Sequence, residues 1–325
     1  MVDQLIAAKI NVGVVGLGLM GSSIVVALLL SDHPVAAVAP LPGEAAVASL
    51  QIARQLAHCE NEAIMDKPVD YYLERLTISG KYDILAGCSL VLECVVEDAG
   101  IKEQVYLKIS NTIANDALIA SNTSAIPISL LQKYVPNPGR FLGIHWAEPA
   151  FLTRFLEITC GEQTDLQYAE WAVRVSHLWG KESTLLKKDI RGFVTNRLMY
   201  AMCREALALA DNGDATIEDM DKAVRYDAGS WMTMMGVFRR MDYLGLDDMK
   251  VTFSNIFPRL SNSDNVPVTM QKLIDLKAKG VQSLTGFYDY ESDEAAEWNE
   301  AFAAFNKEIN QLAIQYPSQV SNSFL

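Results

Sequence analysis

Residues 10–30 read INVGVVGLGLMGSSIVVALLL. The apolar, β-branched run Ile10–Val15 leads into Gly16-x-Gly18-x-x-Gly21, and an apolar stretch of helical length follows. Glycines let the chain turn tightly and let a ligand approach the backbone, while the helix that opens there turns its free N–H groups and positive end toward an anion. Three glycines at this spacing are weak evidence alone, but here a strand precedes them and a helix follows them. The stretch predicts a dinucleotide-binding turn with Gly16, Gly18, Leu19, Met20 and Gly21 around a pyrophosphate. The plain alternative is a tight strand–helix turn that binds nothing.

Outward from this turn, further short apolar runs read as strands: Val35–Val38, Leu90–Val96, Ala117–Ala120, Phe141–Ile144 and Leu156–Thr159. Helical stretches separate them. That alternation predicts an α/β fold, a doubly wound, Rossmann-type and mostly parallel sheet covered by helices on both faces. From about residue 192 helical periodicity takes over. Leu198, Met202, Glu205 and Leu209 fall on one helical face, Asn212-Gly213 ends that helix, and Thr216-Ile-Glu-Asp219 reads as the capping box of the next. Two domains are expected, 1–190 and an all-α 191–325, joined near Lys187–Phe193. Trp298, Phe302, Phe305, Ile309, Leu312 and Tyr316 form a narrow seam along the last helix. It suits packing within the domain or on a partner subunit, with a lid over a ligand as the rival reading. The final nine residues, PSQVSNSFL, read as a loose tail.

The totals exclude several classes of function. A chain of 325 residues, 50% hydrophobic and 21% charged, has the make-up of a globular protein with more than one core. Its net charge of −13 and pI near 4.8 disfavour nucleic acid and anionic membranes as partners. Five scattered cysteines with no C-x-x-C pair suggest neither a disulfide framework nor a metal site. Residues 1–10, MVDQLIAAKI, lack the pattern of a secretory signal, and the longest apolar run, Ile24–Leu30, is too short to span a bilayer. A cytoplasmic location is expected.

A dinucleotide fold ordinarily ends its second strand in an acid that binds the adenosine ribose. Here Ala39 and Pro40 occupy that position within VAAVAPLPGE. Glu44 is the nearest acid, beyond two prolines and a glycine. No Arg or Lys follows closely to receive a 2′-phosphate, which favours NAD over NADP.

Ligands in such sheets sit beyond the carboxyl ends of the strands, so the residues there are the candidates. Glu97 and Lys102 follow Leu90–Val96, Ser121-Asn122-Thr123-Ser124 follows Ala117–Ala120, and His145 follows Phe141–Ile144. Glu157 lies twelve residues after His145 on the next strand. An imidazole titrates near neutral pH, and a carboxylate on its other nitrogen fixes the tautomer and stabilises the cation that forms. That pair reads as a poised base. Taken singly, His145 is as well explained as a core histidine satisfied by a carbonyl, Glu157 as a partner of Arg154, Ser124 as a turn residue, Asn196 as a helix cap and Lys102 as part of a solvated helix face. His33, His58 and His177 have no clustered partners and draw no functional reading.

The order and spacing of GLGLMG, LVLECVVEDAGIKEQVY, ASNTSAIPIS, FLGIHWAEPAFLTRFLEI, RGFVTNRLMYAMCREAL, YLGLDD and GFYDY resemble the L-3-hydroxyacyl-CoA dehydrogenase family. The resemblance implies NAD-dependent oxidation of (3S)-3-hydroxyacyl-CoA to 3-oxoacyl-CoA. It implies His145 as the base, Glu157 as its bracing acid, and Ser124 and Asn196 as hydrogen-bond partners of the substrate oxygen or thioester region. Glu97, Lys102 and Asn122 would then line the cofactor, and the helical domain would serve substrate binding and a homodimer interface. Two departures stand out: Glu148 replaces the family's usual Asn in HWAEP, and Met235-Gly236-Val237-Phe238 replaces Met-Gly-Pro-Phe. The extra charge of Glu148 beside the base would disfavour an anionic substrate. The alternative substrate on the same scaffold is a free 3-hydroxy acid, such as L-gulonate or carnitine. Ala39-Pro40 and Glu148 keep open a dinucleotide-binding protein without turnover.

Overall fold

A computed structural model describes residues 5–315 of the chain; Tyr316 of the predicted seam and the nine-residue tail fall outside them. The chain divides into two compact units, Met1–Val194 and Thr195–Leu325. The first carries an eight-stranded sheet: β1 Val12–Val15, β2 Val35–Val38, β3 Leu76–Ser79, β4 Leu90–Glu93, β5 Leu118–Ser121, β6 Phe141–Trp146, β7 Phe155–Cys160 and β8 Glu182–Leu186. Their order in space is β3-β2-β1-β4-β5-β6-β7-β8. All neighbours are parallel except β6 and β7, which run antiparallel. Strand order reverses between β1 and β4, so the crevice at their carboxyl ends is the natural ligand site.

Helices α1 Leu19–Leu30, α2 Glu44–Asn61, α3 Val69–Leu73, α4 Ala99–Ser110, α5 Ile128–Leu131 and α6 Leu166–Leu178 complete this unit. Two apolar cores lie against the sheet. One gathers Val12, Val14, most of α1, Ile52 and Leu56 of α2, Trp146 and Trp179. The other gathers Val15, Val91, Val105, Tyr106, Ile119, Phe141 and Phe193. Every residue of α1 from Gly21 to Leu29 is buried, which accounts for a helix apolar all round rather than striped.

The sheet extends beyond the six strands read from the sequence. β3 and β8 lie at its two edges, where half-exposed Thr77 and Ser79, or Glu182 and Thr184, dilute the apolar signal. β6 runs on to Trp146, so His145 sits inside the strand instead of after it. β4 stops at Glu93, leaving Glu97 in the loop before α4.

The second unit is helical: α7 Thr195–Asn212, α8 Ile217–Ala223, α9 Gly229–Leu244, α10 Leu246–Ile256, α11 Val268–Asp275 and α12 Glu294–Gln315, with a π-helical turn at Val224–Ala228. Gly213 follows α7 at φ 74°, as the Asn-Gly signal predicts. The Thr216 hydroxyl accepts from the Asp219 N–H at the start of α8, as the capping box requires. Gly236 breaks α9 at φ 74°, ψ −179°, a conformation open to glycine, which gives the Met-Gly-Val-Phe run a backbone reason. None of the described residues of this unit is buried, and large apolar side chains such as Phe238, at 81% exposure, face outward.

Behind β6, a buried chain of polar contacts ties the first unit together. His33, fully buried, donates from Nδ1 to the Ile10 carbonyl at 2.9 Å and accepts at Nε2 from the Trp179 indole N–H at 2.9 Å. Burial pushes the His33 pKa down, consistent with a neutral ring in that role. Trp179 in turn stacks on Trp146, ring centroids 5.0 Å apart. Trp179→Phe keeps most of the apolar surface but leaves His33 Nε2 without a donor, so urea denaturation is expected to show a loss of about 1–3 kcal/mol.

Candidate active site

The glycine turn occupies the β1–β4 crevice. Gly16 adopts φ 90° and packs so closely that a Cβ would lie 2.9 Å from the Cys94 carbonyl. At Gly21 a Cβ would fall 1.9 Å from the Gly16 carbonyl oxygen, so this glycine sets the approach of helix to strand. Gly18 differs: a Cβ there would meet nothing within 4 Å. It is the N-cap of α1, and no side chain caps that end. An uncapped helix N-terminus facing open space is the cradle a pyrophosphate needs. The exposed Leu19 and partly buried Met20 flank it.

Next to this turn lies an acid, Glu44. Glu44 opens α2 behind Gly43, whose φ of 80° swings the chain back. One carboxylate oxygen of Glu44 accepts from the Leu17 N–H of the glycine turn at 2.6 Å, and the other from the Leu41 N–H at 3.0 Å. The prolines and glycine that seemed to separate Glu44 from the site form the loop that returns it there. Sequence spacing conceals this.

Beneath the crevice lies a buried carboxylate, Glu93, at the end of β4. It accepts from the Lys102 ammonium at 2.8 and 2.9 Å, from the Tyr106 and Ser121 hydroxyls at 2.7 Å each, and from the Val95 N–H at 2.7 Å. Lys102, expected beside the cofactor, is 1% exposed and lies 3.3 Å from Glu97 on its other side. Its ammonium is shared between these two carboxylates. The solvated-helix reading fails for the same reason.

Glu97 receives the Thr123 hydroxyl at 2.5 Å and the N–H groups of Ser124 and Ala125 at 3.1 Å each. Burial alone would raise its pKa, but the Thr123 hydroxyl, Lys102 and the Ala125 N–H outweigh it and hold the carboxyl below its usual range. This carboxylate shapes the Ser121–Ser124 loop. Asn122 joins the loop to β6 by accepting the Trp146 N–H at 2.9 Å. Ser124 is exposed at that strand end.

His145 and Glu157 are direct cross-strand partners in the antiparallel β6–β7 ladder. The imidazole Nδ1 lies 3.3 Å from one Glu157 oxygen, and the other oxygen accepts the Val194 N–H at 2.8 Å. Glu157 is 1% exposed and His145 18%, so the acid is sealed in while the ring reaches solvent. A carboxylate at Nδ1 needs an N–H there, which leaves the lone pair on Nε2. Phe155 and Phe193 flank the ring, centroids 6.0 and 5.8 Å away. Asn196 lies on the first turn of α7, in the second unit.

Glu148 sits in the turn after β6, half-buried. Burial raises its pKa, offset in part by the Ser23 hydroxyl and the Ala150 N–H. Lys181 went unnoticed in the sequence, where a lysine between Trp179-Gly180 and a strand gives no sign of burial. Its ammonium donates to the carbonyls of Ala150 and Thr153 and lies 5.1 Å from the Trp146 ring centroid. Burial first, and the Arg154 guanidinium second, depress its pKa to about 7. Among the described residues no cluster of His, Cys, Asp or Glu could hold a metal ion, and no helix is long and apolar enough to cross a membrane.

Comparison with known proteins names this arrangement. Residues 11–190 match the NAD-binding domain of 3-hydroxyacyl-CoA dehydrogenase, and residues 192–290 match the C-terminal domain of the same family. The chain is 32% identical over 287 residues to the 5-formyl-3-hydroxy-2-methylpyridine 4-carboxylate 5-dehydrogenase of Mesorhizobium japonicum, covering 87% of this chain and 92% of that one. It is 29% identical over 289 residues to the mitochondrial hydroxyacyl-coenzyme A dehydrogenase of Sus scrofa, covering 86% and 91%. Among solved structures, a 5-formyl-3-hydroxy-2-methylpyridine 4-carboxylic acid 5-dehydrogenase, an NAD+-dependent dismutase, superposes with a TM-score of 0.84 at 27% identity, covering 95% of this chain and 99% of that one. With both family domains matched in order along most of its length, the chain belongs to the 3-hydroxyacyl-CoA dehydrogenase family and is an NAD-dependent oxidoreductase.

Proposed function

We propose that this enzyme oxidises a hydroxyl-bearing carbon, with His145 as general base and Glu157 as the acid that braces it. The observation that carries the reading is the carboxylate-fixed imidazole: with Glu157 on Nδ1, Nε2 is the nitrogen left to take a hydroxyl proton. When bound, NAD supplies the acceptor for the hydride leaving the same carbon. As the O–H proton passes to His145 a C=O bond forms, and the buried carboxylate of Glu157 stabilises the resulting imidazolium. Glu157 keeps its own orientation through the Val194 N–H. Ser124 and Asn196 take the roles that family resemblance implies, as hydrogen-bond partners of the substrate. In the unit Met1–Val194, the glycine turn and the uncapped α1 N-terminus would hold the NAD pyrophosphate, and Glu44 would be the acid available to the adenosine ribose.

For the substrate, the first reading is a (3S)-3-hydroxyacyl-CoA, supported by the match of both domains to the family. A second reading, a small carboxylated substrate without CoA, is favoured by the pyridine-carboxylate dehydrogenases among the similar sequences and structures. A hydrated aldehyde would present His145 with the same O–H and C–H pair as an alcohol. A panel of 3-hydroxyacyl-CoAs, free 3-hydroxy acids and aromatic aldehydes with NAD separates these readings. CoA alone inhibits under the first and not under the second. A homodimer through the helical unit is also proposed, supported by the absence of buried residues among those described there. Sedimentation velocity should give about twice the mass of 35.9 kDa.

His145→Ala should lower kcat by about 10²–10⁴-fold with NADH binding retained, and Glu157→Gln should fall between it and wild type. Wild-type turnover that survives in His145→Ala would remove the base from this role. On the cofactor side, Gly21→Ala should abolish NADH binding in a fluorescence titration, because the added methyl has no room. Glu44→Gln should weaken binding by about 10-fold, the scale of one lost charge-assisted hydrogen bond.

A further inference from the structure

Lys181 is 4% exposed, and its ammonium is repelled by Arg154, itself paired with Glu182. A buried cation is costly unless its hydrogen bonds are filled. Two of its three N–H groups are taken by backbone, the carbonyls of Ala150 and Thr153. Both belong to the turn that joins β6 to β7. The turn is also bound from within, where the Thr153 hydroxyl donates to the carbonyls of Ala147 and Pro149 at 3.1 and 3.2 Å.

Ala150 is anchored on its other side as well. Its N–H donates to the buried Ser23 hydroxyl of α1 at 2.8 Å, a contact spanning 127 residues of sequence. One peptide segment thus links Lys181 to the helix that starts at the glycine turn. The same ammonium faces the ring of Trp146, which directly follows His145 in β6. We propose that Lys181 is a positioning residue for His145: its ammonium braces the 147–153 turn between α1 and β6 and so fixes the imidazole relative to the glycine turn.

The proposal rests on the reading of His145 as the base, and its first two readouts need no substrate. Lys181→Met removes the charge and keeps the stem; Ser23→Ala removes the opposite anchor. In folded Lys181→Met, amide hydrogen exchange over 147–154 should rise at least about 10-fold while β1, β4 and β5 keep their protection. The ring resonances of His145 should shift in a carbon–proton NMR spectrum. With a substrate from the panel, kcat should fall about 10-fold or more while the KM for NAD stays within about threefold, as a misplaced catalytic group demands. The Ser23→Ala/Lys181→Met double variant should be no slower than the slower single one, because both act through one turn.

Unchanged exchange in the turn, or unchanged His145 resonances, overturns the proposal. So do additive losses in the double variant, or a loosened turn with kcat within about twofold of wild type. If wild type turns over nothing in the panel, it is the His145 reading that fails, and exchange and resonances still decide the positioning role. Should Lys181→Met not fold, Lys181→Gln, which keeps two N–H donors without the charge, is judged by the same criteria.

Discussion

The antiparallel pairing of β6 with β7 is the constraint on which the chemistry depends. In the parallel part of the sheet, each strand's sequence neighbour arrives through a helical crossover, and a specific side-chain pair across two strands must be arranged over long separations. A direct return places Glu157 opposite His145 on the same face of the sheet. A register slip of one residue would turn the acid toward Trp146 and Trp179 and leave the imidazole alone. Phe155 and Phe193 beside the ring, and the Val194 N–H on the acid, hold what the register sets up.

Strand alternation makes β6 a partition. His145 faces the side that meets solvent, whereas Trp146 faces a core of stacked indoles, a neutral buried histidine and an ammonium held by backbone carbonyls. On the buried side His33, Trp179 and Lys181 each find a hydrogen-bond partner, as low polarity requires, while the Trp146 indole N–H has none. The Glu93 cluster follows the same rule under the glycine turn, where one carboxylate gathers five hydrogen bonds. The carboxylate under the glycine turn is thereby held in place from several sides.

Much of this was legible in the sequence, and the omissions have physical causes. The glycine turn declared itself because strand, glycines and helix are contiguous, and His145 and Glu157 because they stand twelve residues apart on adjacent apolar runs. The edge strands β3 and β8 escaped because half-exposed strands carry mixed composition. Lys102 and Lys181 were invisible as buried cations, since burial of a lysine depends on partners far away in the chain: Glu93 for one, the Ala150 and Thr153 carbonyls for the other. For Glu44 the sequence leaves open a return from its loop past Pro40, Pro42 and Gly43, and the structure shows that return, onto the Leu17 N–H. Three-dimensional proximity through a left-handed glycine leaves no trace in spacing.

The position of Glu44 has a consequence for how this enzyme can diversify. Where the ribose-facing acid ends a strand, exchanging it disturbs a residue whose backbone belongs to the ladder. Glu44 instead sits on the first turn of a helix, delivered by a loop whose residues 41–43 are exposed, and its own backbone belongs to no strand. Its replacement leaves every strand pairing of the sheet untouched.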